Sequence, residues 1–514
     1  TTTVTYNADG DYTFAITYSD LAGNACAGAN YGESVQPTEF TIDKTIPVIN
    51  VTYDNNNVLN TNYYKEARTA TIVITEHNFS TDRIKITLTA TDDGKEITAP
   101  AVSTWTTNGD THTATIAYAA DALYNFDIEY TDLAGNEAAD FEKQTFYVDK
   151  TAPSLEITGV KNESANNGDV IPVITYSDTN FDAENVTITL VGAERKAVKA
   201  DGSKSEIHNG QVFTFKNFAK EQSVDDIYTL TAKLTDKAGN SSEQTITFSV
   251  NRFGSTYALS SGVESLNGTY VKDPIDVVIT ETNANELKNV KITMFKNNET
   301  IELEEGKDFD YTIDVAGGNG QWYHYTYTVF AKNFKDDGVY RLTIHSEDAA
   351  GNVAENTLDT KNTAIQFGVD NTKPTITVTN LDNGVTYALE NMTVKMSLND
   401  NLLLNEVKVY LDDYSKAYKT WNAEEIAEIL SSNGEFTFDV SGDSTKAHKV
   451  KIVCTDAAGN ESEEEITNFY VTTNLWVRYY NNKGLFFGSI GGVIVLAGLI
   501  IFLVMAKRKK NGSN

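Results

Sequence analysis

The chain has 514 residues, a formal charge of −31 and two cysteines, Cys26 and Cys454. That length calls for several domains. The charge repels nucleic acid and anionic surfaces, so no nucleic-acid partner is expected. Two cysteines so far apart exclude a disulfide scaffold and leave stability to the core. The acidity is uneven: no acid follows Glu465, the tail carries Lys507, Arg508, Lys509 and Lys510, and residues 1–484 net −35.

In chain order, the first punctuation is Asp20–Asn24, which reads Asp-Leu-Ala-Gly-Asn. The pattern Asp-x-Ala-Gly-Asn returns at Asp132–Asn136, Asp236–Asn240, Asp348–Asn352 and Asp456–Asn460, every 104 to 112 residues. That interval is the size of one small domain, so the chain reads as a tandem array. The first copy lies close to Thr1, with neither a methionine nor a signal peptide before it. The expectation is a C-terminal piece of a longer secreted protein that begins inside a repeat.

Each motif ends a strand with period-two alternation. Counting back from the aspartate gives Tyr18, Ile16, Phe14 and Tyr12, then Tyr130, Ile128, Phe126 and Tyr124. Later copies give Leu234, Ala232, Leu230 and Tyr228, then Ser346, Ile344, Leu342 and Tyr340, then Cys454, Ile452, Val450 and His448. One face is apolar, as in a strand half-buried in a sandwich. Cys454 falls on that face as a small core residue, and Cys26 in a loop. A turn precedes the tyrosine (Asp9-Gly10-Asp11-Tyr12, Asp337-Gly338-Val339-Tyr340), which resembles a tyrosine corner. His448 puts the corner bond in doubt in the fifth copy.

A further strand runs into a linker: Ile42-Asp43-Lys44-Thr45-Ile46-Pro47, Val148-Asp149-Lys150-Thr151-Ala152-Pro153 and Val369-Asp370-Asn371-Thr372-Lys373-Pro374. Proline suits the edge position that opens the next domain. The junction Val250-Asn251-Arg252-Phe253-Gly254-Ser255 departs from this pattern and lacks the proline. The expected division is a truncated domain at 1–43 and whole domains at 44–149, 150–251, 252–370 and 371–473. A juxtamembrane linker (474–484), a transmembrane helix (485–506) and a basic cytoplasmic tail (507–514) follow. Within the last domain, Asn422-x-x-Glu425 before Ile426, Ile429 and Leu430 predicts a capped short helix. Everything else before the anchor reads as strand and turn.

Asp-x-Ala-Gly-Asn followed by Val-Asp-Lys-Thr-x-Pro resembles the bacterial immunoglobulin-like repeats of large surface adhesins, over nearly all of residues 1–473. The resemblance implies an all-β fold of tandem immunoglobulin-like β-sandwiches, followed here by one transmembrane helix.

Leu485–Ala506 is an uncharged run of 22 residues, enough at about 1.5 Å per residue to span about 30 Å of hydrocarbon. Trp476, Tyr479 and Tyr480 suit one interface, and Lys507–Lys510 stop transfer on the cytoplasmic side. The expected topology is a single pass in the cell membrane, N-terminus outside, with the lipid bilayer as partner through residues 485–506. Residues 474–484 contain no proline, so no sortase-type wall linkage is expected.

The six histidines fall at no metal-ligand spacing, and the soluble part has no nucleophile elbow, phosphate loop or dinucleotide fingerprint. The chain is read as no enzyme. Its best constellation is acidic. In an immunoglobulin-like sandwich the B–C and F–G loops share an end with the start of strand A. The B–C turns read Glu76-His77-Asn78, Asp178-Thr179-Asn180, Glu281-Thr282-Asn283 and Asp400-Asn401. Oxygens should therefore converge as Asp43, Glu76, Asn78, Asp132 and Asn136; as Asp149, Asp178, Asn180, Asp236 and Asn240; and as Asp370, Asp400, Asp456 and Asn460. Calcium takes six to eight such oxygens. Turn chemistry alone also accounts for Asp-x-Ala-Gly-Asn. The junction at 251–255 loses an acid and gains Arg252, so it should bind calcium worst and bend most.

The leading function is a membrane-anchored extracellular stalk of a bacterial surface protein, spacing or presenting an upstream adhesive region. Four and a half domains would reach on the order of 150 Å. An alternative has one repeat bind a glycan or protein ligand from a host or cell surface, with Trp322 and Tyr323 in the longest repeat as candidates. Alternation turns half of that aromatic run inward. A third reading is the stalk of a cell-surface enzyme whose catalytic head lies upstream.

Overall fold

The computed structural model describes residues 2–16, 18–26, 38–318, 320–443 and 446–511. Two compact units make up the chain, Thr1–Arg252 and Phe253–Asn514. In the first, Gly10–Phe14 pairs antiparallel with Thr38–Ile42, and Tyr18–Ser19 with Ala25–Cys26. Cys26 thus lies in a short strand rather than a loop. The apolar face expected of this first copy is not covered: Ile16 and Tyr18 are 53% and 62% exposed. No opposing sheet lies over them among the described residues.

The same arrangement then repeats. A four-stranded sheet runs in the order Thr106–Asn108, Thr111–Tyr118, Arg68–Thr75, Val48–Tyr53. A five-stranded sheet faces it, ordered Tyr63–Tyr64, Gln144–Val148, Ala122–Tyr130, Ile84–Asp92, Lys95–Ile97. Their inner faces meet in one core that includes Ile72, Ile74 and Ile116 from the first and Tyr124, Phe126 and Phe146 from the second. Residues 154–250 repeat this order strand for strand.

The second unit holds two further sandwiches, over residues 256–369 and 375–471. The first adds strand Val353–Glu355 beside Gly338–Asp348. The second replaces one edge strand with the helix Ala423–Ser432. There Asn422 caps the first turn and Glu425 bonds back to the Asn422 N–H, as the sequence predicts. Two short helices were not expected. Ser261–Leu266 is capped by the Ser260 side chain, and Leu475–Asn481 is helix where a plain linker was expected.

In every complete sandwich a short strand crosses over to run parallel to the last strand: Tyr63–Tyr64, Ser164–Asn166, Tyr270–Val271 and Thr386–Tyr387. The linker residue continues that ladder, since the amides of Asp149, Asn251 and Asp370 donate to the carbonyls of Tyr64, Asn166 and Val271.

The alternation before each motif is realised in these four sandwiches. Tyr124, Phe126, Ile128 and Tyr130 are buried, as are their counterparts in the next two copies. In the last copy Val450, Ile452 and Cys454 are fully enclosed, and burial pushes the Cys454 thiol up to about 12. The tyrosine corner closes four residues back each time. The hydroxyls of Tyr12, Tyr124, Tyr228 and Tyr340 donate to the carbonyls of Ala8, Ala120, Val224 and Asp336 at 2.6–2.8 Å. His448 instead contacts the Asp412 carboxylate through Nδ1 at 2.8 Å.

A single apolar helix closes the chain. Lys483–Asn511 is helical, and an 18-residue window within Lys483–Lys509 has a mean hydropathy of 2.7 with no burial against the protein. It is long and apolar enough to cross a membrane, and it extends a few residues beyond the expected 485–506 at each end.

Tyr228→Phe should cost the third repeat about 1–2 kcal/mol, because the Val224 carbonyl loses its donor in a closed core. Tyr12→Phe, in the uncovered first copy, should cost close to nothing. Urea unfolding of the two variants against the parent checks the contrast.

Candidate metal centres at the repeat junctions

Each junction is built on the Asp-x-Ala-Gly-Asn turn. The aspartate amide donates to the asparagine carbonyl, and glycine sits at φ +82° to +96°, a region an L side chain resists. The aspartate Oδ1 accepts the asparagine amide at 2.8–2.9 Å in all five copies. The asparagine side chain then faces two ways. In Asn136, Asn240 and Asn460, Nδ2 donates to the Oδ2 of its own turn's aspartate and to the carbonyl of Asp43, Asp149 or Asp370 in the linker.

The B–C turn completes the site. Asn78 N donates to Glu76 Oε1 and Asn78 Nδ2 to Asp43 Oδ2, at 2.7 and 2.8 Å. Asn180 repeats both bonds with Asp178 and Asp149. In the last repeat Leu402 N takes the first role on Asp400, while Asn401 Nδ2 reaches Asp337.

The acids converge as the topology argument expects. Asp43, Glu76 and Asp132 form one group, Asp149, Asp178 and Asp236 a second, and Asp370, Asp400 and Asp456 a third. Within each, one oxygen per residue lies within 4.8 Å of the others. The asparagines differ from expectation: Asn78, Asn136, Asn180, Asn240 and Asn460 present amide nitrogen to the acids. They lock the turns, and the side-chain oxygen set contracts to three carboxylates per junction. Glu76 is 3% exposed, and its Oε2 has no hydrogen-bond partner. A cleft of about 360 Å³ borders the first group and one of about 550 Å³ the second, so a hydrated ion has a way in.

The fourth repeat corrects the sequence register. Glu281 does not sit in the B–C turn. It lies inside strand Val277–Asn283, on the inward side with Val277 and Ile279, fully enclosed. Its carboxylate accepts the hydroxyls of Tyr327, at 2.9 Å, and Ser346. The turn position belongs to Asn283, whose Oδ1 accepts Asn285 N as Glu76 and Asp178 accept theirs.

Tyr323 is also placed by alternation. It packs against the core and stacks on Tyr325 with centroids 6.2 Å apart. Trp322, one position along, is only partly buried.

Residues 112–252 match the family described as bacterial Ig-like domain (group 3). Over that segment the chain is similar to a bacterial Ig-like domain. The match spans about the last third of one sandwich and the whole of the next. Among solved structures, the chain is similar to the tetra-tandem repeat in the extending region of a large adhesion protein. Identity there is 15% and the TM-score 0.35, over 82% of this chain and 100% of that one. It is also similar to the Escherichia coli adhesin FdeC (15%, TM-score 0.22, 63% and 96% covered) and to a stretch of titin domains (14%, TM-score 0.24, 60% and 94% covered). No curated protein matches the sequence.

The immunoglobulin-like repeats hold their linkers with residues the sequence reading passed over. An aspartate three places before the corner tyrosine binds the outgoing linker. Asp9, Asp121 and Asp337 accept the hydroxyls of Thr45, Thr151 and Thr372, and Asp225 accepts the Arg252 amide. Its fixed offset from the tyrosine was the available signal. A lysine just past the crossover strand then reaches the next repeat: Lys65 Nζ donates to the Gly239 carbonyl at 2.9 Å, and Lys272 Nζ to that of Gly459 at 2.6 Å.

Crowding and burial shape the protonation of these acids. Burial raises Asp178 to about 6, with Asp149 and Asp236 adding repulsion. Burial likewise raises Glu76, Asp149 and Asp370, whereas the Asn78 amide holds Asp43 below its ordinary range. A carboxyl raised in the folded state binds protons that the unfolded chain releases, so stability falls as pH rises through that window. In chelator, a soluble fragment of residues 44–473 should therefore melt higher at pH 5 than at pH 7.5. Asp178→Asn should raise its melting temperature at pH 7.5 and flatten the pH dependence.

Proposed function

We propose that this chain is the stalk of a bacterial cell-surface protein, tethered by residues 483–509 in a single pass and stiffened by calcium at its repeat junctions. One observation carries the reading: three carboxylates lie within 4.8 Å of one another at the same place in the entries to the second, third and fifth repeats. Three anions that close repel unless a cation or protons sit among them. Calcium suits the set, since it prefers carboxylate and carbonyl oxygen and fills its remaining positions with water. Each group draws one acid from the incoming linker and two from the domain it enters. A bound ion would fix the linker to that domain.

The anchor rests on the apolar helix and the basic residues Lys507, Arg508 and Lys509 near its C-terminal end. By the positive-inside rule these mark the cytoplasmic end. The repeats then lie outside and space an adhesive region from the bilayer.

Thermal unfolding of residues 44–473 in calcium and in chelator tests the ion. At calcium a hundredfold above Kd the gain is about 2.7 kcal/mol per occupied repeat, a rise of about 10 °C. The rise should vanish in an Asp149/Asp370→Ala double variant of this fragment, which begins after Asp43. An equal melting temperature in calcium and chelator would reduce the acids to turn chemistry. For the anchor, the full chain should stay with membranes through alkaline carbonate washing; release into the supernatant would refute it.

A further inference from the structure

The fourth repeat lacks the acid group and carries something else in its place. Asn251 stands where the other linkers have aspartate, and Asn283 where the other B–C turns have an acid. Asp348 is the one carboxylate retained from the three positions. Asn283 is fully enclosed, and its Nδ2 donates to Asp348 Oδ2 at 3.2 Å and to Ser255 Oγ at 2.8 Å. An amide donor thus stands where the other B–C turns carry an acid.

A positive charge is supplied from within the repeat. Lys361 Nζ donates to the carbonyls of Phe253 and Ser255, the residues that lead into the first strand. Lys361 sits on a segment, residues 356–364, that joins the extra strand Val353–Glu355 to Ile365–Val369. In the third and fifth repeats the turn passes directly into the last long strand. The fully enclosed Asn356 pins this segment. Its Oδ1 accepts Ile344 N at 2.7 Å, its Nδ2 donates to the carbonyls of Leu342 and Thr363, and its carbonyl accepts the Thr363 hydroxyl. The contacts run in sequence from ammonium to linker carbonyls, and from linker hydroxyl through amide to carboxylate.

We propose that Lys361 and Asn283 replace, in the fourth repeat, the divalent cation of the other junctions, so that the entry to this repeat holds without calcium. The proposal rests on the calcium reading above. An ammonium on a pinned loop offers donors and positive charge to linker oxygens, and an amide satisfies the single remaining acid. The chain then combines junctions that respond to calcium with one that does not.

Amide hydrogen exchange on the full detergent-solubilised chain, in calcium and in chelator, tests this. Chelator should speed exchange at least tenfold in the segments around 43–53, 149–158 and 370–378, and leave 253–259 unchanged. Lys361→Met should speed exchange at 253–259 to the same extent in both conditions. Asn283→Asp combined with Lys361→Met should make that segment slow in calcium and fast in chelator. The proposal is overturned if chelator speeds 253–259 in the parent as much as the other segments. It is equally overturned if Lys361→Met leaves that segment unaltered. A parent in which no segment responds to chelator sinks the calcium reading and the replacement with it. That pattern differs from either of the others, and the Lys361→Met arm still measures what the ammonium contributes to the fold.

Discussion

The junctions depend on one side chain, the asparagine that ends each Asp-x-Ala-Gly-Asn turn. In three repeats its amide is shared between the carboxylate of its own turn and the carbonyl of the incoming linker aspartate. The turn can present that amide only because glycine takes a positive φ one residue earlier. With the linker carbonyl fixed, the linker aspartate's own side chain must fall beside the turn aspartate. The B–C acid arrives from a strand whose register is set by the core. Three negative charges are therefore brought together by the same bonds that order the backbone. The site and the fold have one cause.

The fold was legible because its strands obey strict parity and its turns demand particular residues. Tyr124, Phe126, Ile128 and Tyr130 on one side, with Asn125, Asp127 and Glu129 on the other, admit one orientation against a core. Asn422 and Glu425 announced their helix by reciprocal capping. The site was legible to the extent that sandwich topology gathers one end's loops. The fourth repeat shows where residue type misled. Glu281 drew attention as an acid near the right place, yet its parity with Val277 and Ile279 already pointed inward. Its partners Tyr327 and Ser346 come from distant strands, and no local pattern reveals such a pairing. The short helices Ser261–Leu266 and Leu475–Asn481 were missed because one or two turns leave little periodicity to read.

The asparagines are a further case. Composition counts an amide as an oxygen donor to a metal, but a side-chain amide beside carboxylates turns its nitrogen toward them. What separates the two roles is the neighbourhood, which only the folded chain supplies. Lys361 is similar: its place beside the linker follows from the burial of Asn356, 5 residues earlier in the chain, rather than from any motif.

The crossover strands have a mechanical consequence. Tyr63–Tyr64 and Gln144–Val148 run parallel, and the same holds for the equivalent pairs in the other three sandwiches. A domain stretched between its ends pulls such a pair in opposite directions along their common axis. The bonds between them, including Asp149 N to Tyr64 O, are then loaded together in shear rather than opened one at a time. Separation requires several to fail at once. The linker residue that closes the ladder also donates an acid to the next junction, so tension arriving through a linker meets this ladder before it reaches the core.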